Sequence, residues 1–515
     1  MKAAIWMSTW VAVLSLTAAD PTHWPQFRGP SGSGMAAEDA SPPIEFGPGK
    51  NVAWHAQSGV GHGSPCICGD RIFLLSYDPA GKKLDTLAWD RSQGAELWRR
   101  SLTPKEPEQV HSISNLATAT PACDGDRVYS YFGSYGLAAY TPDGKLAWEY
   151  SMPTASVPFG SGTSPVVSAG LILLSHDGKA NAALHALRAS DGSLKWKTPL
   201  TRPANTMAGS HATPAIWNGQ AVIHGLNSVT GYDMSDGSRL WWLTSTTAGT
   251  STPVTQDGML YVSGWSNVGD SSYLPQQPAW PELLAKYDTD NDKRLNKQEA
   301  QSIYLMRRPE LPDNTPSAHV TAGLVFGLLD LDKDGFVSEE EWKGSQARIT
   351  QMMGRHGLFA LRGGGTGDIT TTHIAWKESR SIPEVPSPLL YRGRIYMVAN
   401  GGIATSVDAG DGRVVFRGRL GAPGEYYASP IAAAGRVYFV SRTGVVTVLA
   451  ASDELKILAR NDLKEDVFAS PAVARDTLYI RTATRLYAFR DSKRTTAGAV
   501  GEAIRLDQHD SPQKD

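Results

Sequence analysis

A serine or threonine followed by proline and a short apolar strand recurs eight times, and this repeat constrains the fold more than any other feature. The copies begin at Ser64, Thr120, Ser164, Thr213, Thr252, Ser387, Ser429 and Ser470. Each reads as a strand, a turn at Gly or Asp, and a second alternating strand, as in "SPCICGDRIFLLS" and "SPIAAAGRVYFVS". A further strand, a turn glycine and an aromatic four positions beyond it follow most copies. Gly94 precedes Trp98, Gly144 precedes Trp148, Gly192 precedes Trp196, Gly237 precedes Trp241, and Gly412 precedes Phe416. Each unit is therefore four antiparallel strands. Most of the repeat prolines are spaced between 39 residues (Pro214 to Pro253) and 56 residues (Pro65 to Pro121). Four short strands at that period predict a propeller blade.

The ends of the repeat array agree with a closed ring. The last unit stops at its third strand, "RLYAFR", while an unpaired strand, "NVAWHA" from Asn51 to Ala56, precedes the first Ser-Pro. An N-terminal strand completing the last blade removes the exposed sheet edge. The expectation is an all-β, eight-bladed propeller. Trp54, Trp98, Trp148, Trp196, Trp241 and Trp376 sit at fixed places on outer strands and are expected to wedge between blades. Trp217, Trp242 and Trp265 fall outside that pattern, and Trp265 lies where an insertion leaves its blade.

At these residues the chain resembles the eight-bladed quinoprotein-type (PQQ-like) propeller family, from about Trp24 to Arg490 apart from the insertion. The segment "WPQFRGPSGSG", Trp24 to Gly34, is similar to the leader that precedes such propellers in exported bacterial proteins. The resemblance implies the fold and not an activity, since the family includes cofactor-dependent alcohol dehydrogenases and cofactor-free scaffolds. In those enzymes adjacent cysteines form a vicinal disulfide over the quinone. This chain has no Cys-Cys pair, and its nearest approach is Cys66-Ile67-Cys68.

The insertion announces itself as a break in rhythm. Pro253 and Pro388 are 135 residues apart, which leaves roughly 90 extra residues inside the fifth blade. In "DLDKDGFVSEEE" Asp330, Asp332 and Asp334 occupy loop positions one, three and five, with Gly335 at six. Phe336 offers its carbonyl at seven, Ser338 sits at nine and Glu341 at twelve, which fills the EF-hand pattern for a hard cation. "DTDNDKRLNKQE" places Asp288, Asp290, Asp292, the carbonyl of Arg294, Asn296 and Glu299 in the same slots. There Lys293 replaces the turn glycine, at a cost of about 1 kcal/mol where φ must be positive, so this loop is expected to be the weaker calcium site. Leu295 and Val337 are expected to pair the two hands, and helices are expected over "WPELLAKY", "KQEAQSIYLMRR", "HVTAGLVFGLL" and "SEEEWKGSQARITQMM". The insertion falls between the second and third strands of its blade. It therefore emerges on the face where one blade connects to the next.

The residues just before each Ser/Thr-Pro surround the channel mouth on that face. His62 and His211 share one offset, and Ser161, Glu384, Glu425 and Asp466 lie near them. Two histidines and three carboxylates in a ring suit a metal, a cofactor or a polar ligand.

The first 19 residues read as a secretory signal: Lys2, an apolar run from Ile5 to Leu16, and small residues at Thr17, Ala18 and Ala19. The expected organisation is a signal peptide over 1–19, a leader over 20–50, propeller over 51–265 and 357–490, the EF-hand pair over 266–356, and a disordered tail over 491–515. Cys66 and Cys68 lie on one face of a strand, where pairing with each other is disfavoured; a bridge to Cys123 is open, and buried unpaired cysteines are the expected state. Forty-nine basic and 51 acidic residues are too balanced for nucleic acid. The reading is an exported, periplasmic or extracellular monomer without a membrane span. It binds calcium and holds a protein partner or a small polar ligand at the channel face, without chemistry. The alternative is a PQQ-dependent alcohol dehydrogenase.

Overall fold

The computed structural model describes residues 20, 22–157, 159–177, 181–200, 209–245, 247–266, 270, 274–308, 318–353 and 355–491. The expected signal over 1–19 and, apart from Asp491, the expected tail over 491–515 lie outside them. Eight antiparallel sheets are arranged as blades, one for each Ser/Thr-Pro copy. In the first, Cys66–Cys68 is innermost, followed by Arg71–Asp78, Lys83–Asp90 and Glu96–Leu102. The two middle strands of a blade are covered on both faces by neighbours and carry continuous apolar runs: Leu171–His176 is buried throughout. Outermost strands alternate, as in Leu194–Pro199, where Trp196 is the one buried side chain.

The eighth blade is built as expected from the two chain ends. Val52–Gln57 pairs with Arg485–Phe489, with His55 opposite Tyr487, and the sheet continues inward through Thr477–Arg481 to Ala472–Ala474.

The reason for a hydroxyl before every repeat proline is visible at the inner strands. The backbone N–H of Ser64 donates to Thr120 Oγ1, that of Thr120 to Ser164 Oγ, and so on around the ring through Thr213, Thr252, Ser387, Ser429 and Ser470. The N–H of Ser470 then donates to Ser64 Oγ and closes the circle. All eight bonds measure 2.9–3.2 Å, and all eight residues are buried. Alanine at any of them would leave the preceding blade's N–H buried without an acceptor.

At the periphery the tryptophans do wedge between blades. The indole N–H groups of Trp54, Trp98, Trp148, Trp196 and Trp376 donate to carbonyls of Arg91, Pro142, Ala189, Met234 and Ala409 in the next blade. Each ring also lies on that blade's turn glycine. A Cβ at Gly94, whose φ is 71°, would fall 2.3 Å from the Trp54 ring. Trp241 departs from the pattern: its N–H donates to Gln220 in its own blade, and it meets Trp217 edge to face. Trp217 instead reaches Gly258 of the fifth blade. The seam is different because Gly367–Asp368, from the fifth blade's last turn, adds as a parallel strand beside Arg239–Thr244.

The insertion leaves the fifth blade after Met259–Gly264 and returns at Gly357–Leu361, with Gly264 opposite Gly357. It has its own core, including Trp280, Leu283, Phe326, Leu329 and Trp342. The outer helices form over Trp280–Tyr287 and Glu339–Met353. The two inner helical expectations fail. A short turn over Glu299–Ser302 leads into strand Tyr304–Arg307, which pairs with His319–Thr321, and only Phe326–Leu329 is helical before the second loop. Alternation explains this: Leu305 faces the insertion's core while Met306 faces the channel, a period-two pattern that a helix cannot serve.

The cysteines also differ from the expected unpaired state. Cys68 and Cys123 are disulfide-bonded across the first two blades, and Cys66 is free and buried. Cys66 and Cys68 face the same neighbour, since Cys66 Sγ lies 3.4 Å from Cys123 Sγ.

Two outcomes are expected. Ser164→Ala lowers unfolding free energy by about 1–3 kcal/mol in urea titrations, whereas Ser164→Thr keeps the acceptor and costs much less. Cleavage mapping under non-reducing conditions links Cys68 to Cys123, which are 55 residues apart. Reduction of that bridge lowers stability by about 4 kcal/mol on the chain-entropy estimate.

Candidate functional site

A cavity of 690 Å³ opens at the channel mouth, on the face where the blades connect. Its floor is formed by seven of the eight ring residues, all but Thr213, together with Phe27 of the leader, and its far wall is the strand pair of the insertion. The leader reaches the channel's other end because Trp24 pairs with Ile67 and Met35 with Ala432, along the inner strands beyond the ring.

The mouth residues read from the sequence separate into two groups. His62, His211 and Glu384 line the cavity; Ser161, Glu425 and Asp466 do not. Ser161 donates to buried Glu108 at 2.7 Å. Arg442 pairs with Asp466 at 3.2 Å and approaches Glu425 at 3.8 Å, which holds these carboxylates to the rim. Glu384 accepts from Arg308 at 3.1 Å and from Asn400 at 2.9 Å. The expected ring of free carboxylates is thus consumed by local pairing. Among the described residues, the groups of three ligands close enough for a metal are the two aspartate triplets of the insertion, not the mouth.

Apart from the Arg308–Glu384 pair, what remains is neutral: Ser and Thr hydroxyls of the ring and loops, with aromatic and apolar side chains among them. The His62 ring stacks on Phe468 at 4.0 Å and 12°, and Phe468 stacks in turn on Tyr427 at 5.5 Å. Burial, then the guanidinium groups of Arg481 and Arg442, push the His62 pKa down to about 4. Arg481 is itself locked in place, donating to the carbonyls of Gly63 and Leu75. Burial likewise lowers the pKa of His211, whose Nδ1 lies 3.1 Å from the Gly160 carbonyl. Both histidines are therefore neutral near pH 7. Sequence reasoning missed Phe159, Tyr427 and Phe468; Tyr427 and Phe468 stand two residues before Ser429 and Ser470, the same offset as His62 and His211, so the repeat does mark them, whereas Phe159 has no such mark. It did single out Trp265, which lines the cavity with the Arg308 guanidinium 5.4 Å from its ring centroid.

The acidic loops stand behind the far wall. Within Asp288, Asp290 and Asp292, and again within Asp330, Asp332 and Asp334, one carboxylate oxygen from each residue lies within 4.8 Å of the others. Asp288 Oδ1 and Asp330 Oδ1 are buried with no hydrogen-bond partner, and Asp330 is only 8% exposed. A buried, unpartnered carboxylate oxygen facing two others fits a hard cation. The other oxygens of Asp288 and Asp330 accept the N–H groups of Lys293 and Gly335. Lys293 takes φ 65° and Gly335 φ 91°, so the strain expected at Lys293 is present. Glu299 accepts from the Asn296 N–H, and Glu341 from those of Leu331 and Ser338, closing each loop. Leu295 pairs with Val337, as expected. The Arg294 side chain turns away to cover Phe336 at 3.7 Å and to bridge Asp292 and Asp334 at 3.3 Å each.

Ring, closure and cavity together define a PQQ-like propeller with an inserted module. A sequence model of the family described as outer membrane protein assembly factor BamB matches residues 46–272 and 366–505, on either side of the insertion, and the chain belongs to that family. Outer membrane protein assembly factor BamB of Yersinia pestis is 30% identical over 244 residues, covering 43% of this chain and 57% of that protein. The match thus spans little more than half of that relative's length. BamB from Moraxella catarrhalis superposes with a TM-score of 0.50 at 11% identity, covering 85% of this chain and 98% of that one. A europium-containing methanol dehydrogenase gives 0.51 at 11% identity, covering 92% and 98%. At such identities the two structures establish the fold alone.

The buried histidines fix the pH response. Above about pH 6.5 His62 is neutral whether folded or not. As pH falls toward 4 the unfolded chain binds a proton that the folded chain resists, so stability is lost in that window. His62→Gln removes that part of the loss, about 1–3 kcal/mol between pH 7 and pH 4 in urea titrations.

Proposed function

We propose that this protein is an exported, calcium-binding propeller scaffold that holds an apolar segment of a protein partner in the channel-mouth cavity. The observation that carries this reading is the cavity's lining. Phe159, Trp265, Met306, Tyr427 and Phe468 supply aromatic and apolar contact, and the charged pair Arg308–Glu384 is already satisfied internally. Such a wall suits apolar side chains presented by a polypeptide better than the small polar ligand suggested by the sequence. The assembly-factor names of the BamB relatives point the same way, toward protein partners. Export is supported by the residue pattern of 1–19 and by the Cys68–Cys123 bridge, a bond that persists in oxidising compartments. Among the described residues no helix is long and apolar enough to cross a membrane.

The dehydrogenase reading fits the cavity poorly. Pyrroloquinoline quinone carries three carboxylates, while Arg308 is the one permanent cation among the described lining residues, and Glu384 neutralises it. Two titrations followed by tryptophan fluorescence separate the readings. A Trp- and Leu-rich octapeptide binds the wild type in saturating calcium and binds Phe468→Ala at least tenfold more weakly. Pyrroloquinoline quinone gives no saturable quenching at tens of micromolar; tight one-to-one quenching would reverse the assignment.

Calcium occupies both loops in this reading, with Asp330, Asp332, Asp334, the Phe336 carbonyl, Ser338 and Glu341 as the stronger set. Affinities on the order of 0.1–1 mM are expected of an extracellular site. Calorimetric titration resolves two sites; Glu341→Gln abolishes the stronger, and Lys293→Gly tightens the weaker about fivefold by relieving the positive-φ strain, worth about 1 kcal/mol.

A further inference from the structure

We infer that the ligand site is composite and calcium-conditioned: the insertion supplies its far wall, and metal in the two loops sets that wall's position. The inference rests on the binding reading above and deepens it. Its basis is the chain between the last ligand position of the first loop, Glu299, and the first of the second, Asp330. Several of the described side chains of that stretch serve either the insertion's core or the cavity, while Tyr304 and Leu328 face solvent. Ala300, Ile303 and Leu305 belong to the core, whereas Met306 and Arg308 line the cavity. On the return, His319, Val320 and Leu324 line the cavity, whereas Ala322, Phe326 and Leu329 belong to the core.

The two environments alternate along one hairpin, so neither can shift without the other. The Ala322 N–H donates to the Ile303 carbonyl and the Arg308 N–H to that of Ala318, which fixes the two strands together. Arg308 is only 4% exposed on its side chain and is pinned to Glu384 of the propeller. Chelation adds constraint at both roots of the hairpin. Glu299 begins the turn that leads to it, and Asp330 follows directly on Leu329 of the core. Calcium therefore favours the arrangement in which Met306 and Val320 line the cavity together with Phe468 and Trp265. Without the ion, the acidic triplets repel one another and that arrangement loses weight. Linkage makes the effect reciprocal, so an occupied cavity raises calcium affinity by the same factor.

The test uses the full mature chain and Nile red, an uncharged apolar fluorophore, as the cavity probe. Its affinity is measured in saturating calcium and in EGTA for the wild type, Met306→Trp and Leu305→Ala, with thermal melts alongside. We expect roughly tenfold weaker dye binding in EGTA, within the usual range of coupling between sites. We expect clearly weaker binding in Met306→Trp, whose indole takes up space along that wall of the cavity. In Leu305→Ala, which uncouples the hairpin from the core and touches neither ligand set, the calcium effect shrinks toward onefold. Dye binding that is weakened by Met306→Trp yet equal with and without calcium would sink the coupling while leaving the binding site intact. Binding indifferent to Met306→Trp would overturn the site itself, and the inference with it. Loss of the propeller's own melting transition in EGTA would show that calcium holds the ring rather than the wall, and would overturn the inference as well.

Discussion

Eight backbone-to-hydroxyl hydrogen bonds, each from one blade to the next, set the geometry on which everything else here depends. The ring they make is closed, buried and formed by residues adjacent to proline. Proline fixes its own φ and disfavours the helical region for the residue before it, so the donor and acceptor of each bond are held extended. The result is a rigid circular floor. A cavity built on that floor has walls whose spacing is decided by blade number, not by side-chain compromise. That is why loops as different in sequence as those bearing His62, His211 and Tyr427 converge on one volume.

The outer tryptophans act at the other end of the same blades. Each binds the next blade by an indole N–H and by lying on a glycine that cannot carry a side chain, so inner and outer registers are set independently. The seam between the fourth and fifth blades is where this scheme changes, with Trp217 and the added strand Gly367–Asp368 in place of the usual wedge. The same blade carries the insertion. The two departures share a cause, in that the fifth blade's connections have been lengthened and the contacts normally made by tight turns have been replaced.

Much of the architecture was legible from residues alone, because repetition exposes it. Ser/Thr-Pro, the turn glycine and the aromatic beyond it each recur, and each turned out to have one physical task. The aspartate loops stood out for a related reason, since the same carboxylate spacing occurs twice, and each set gathers into a triplet. The cavity was less so. His62 and His211 were singled out by a shared offset and line the cavity with Glu384, but whether a carboxylate is free depends on a partner distant in sequence. Arg442 claims Asp466 from another blade's hairpin, and Arg308 claims Glu384 from the insertion. The inner helices were misjudged because an apolar run that serves two environments on alternate sides looks amphipathic at either period. The Cys68–Cys123 bridge depended on which of two equivalent positions meets a third, a choice made by packing between blades.

The clasp of the eighth blade carries a consequence for how the protein comes into being. Val52–Gln57 is synthesised before every other blade strand, and its partner Arg485–Phe489 after all of them. Individual blades can form as their four strands emerge, but the circle of hydroxyls stays open at Ser64 and Ser470 until the eighth blade has been made. Until that moment neither the channel nor the pocket above it exists. A half-made molecule therefore presents two raw sheet edges and no binding site, and it acquires its recognition surface in a single late step.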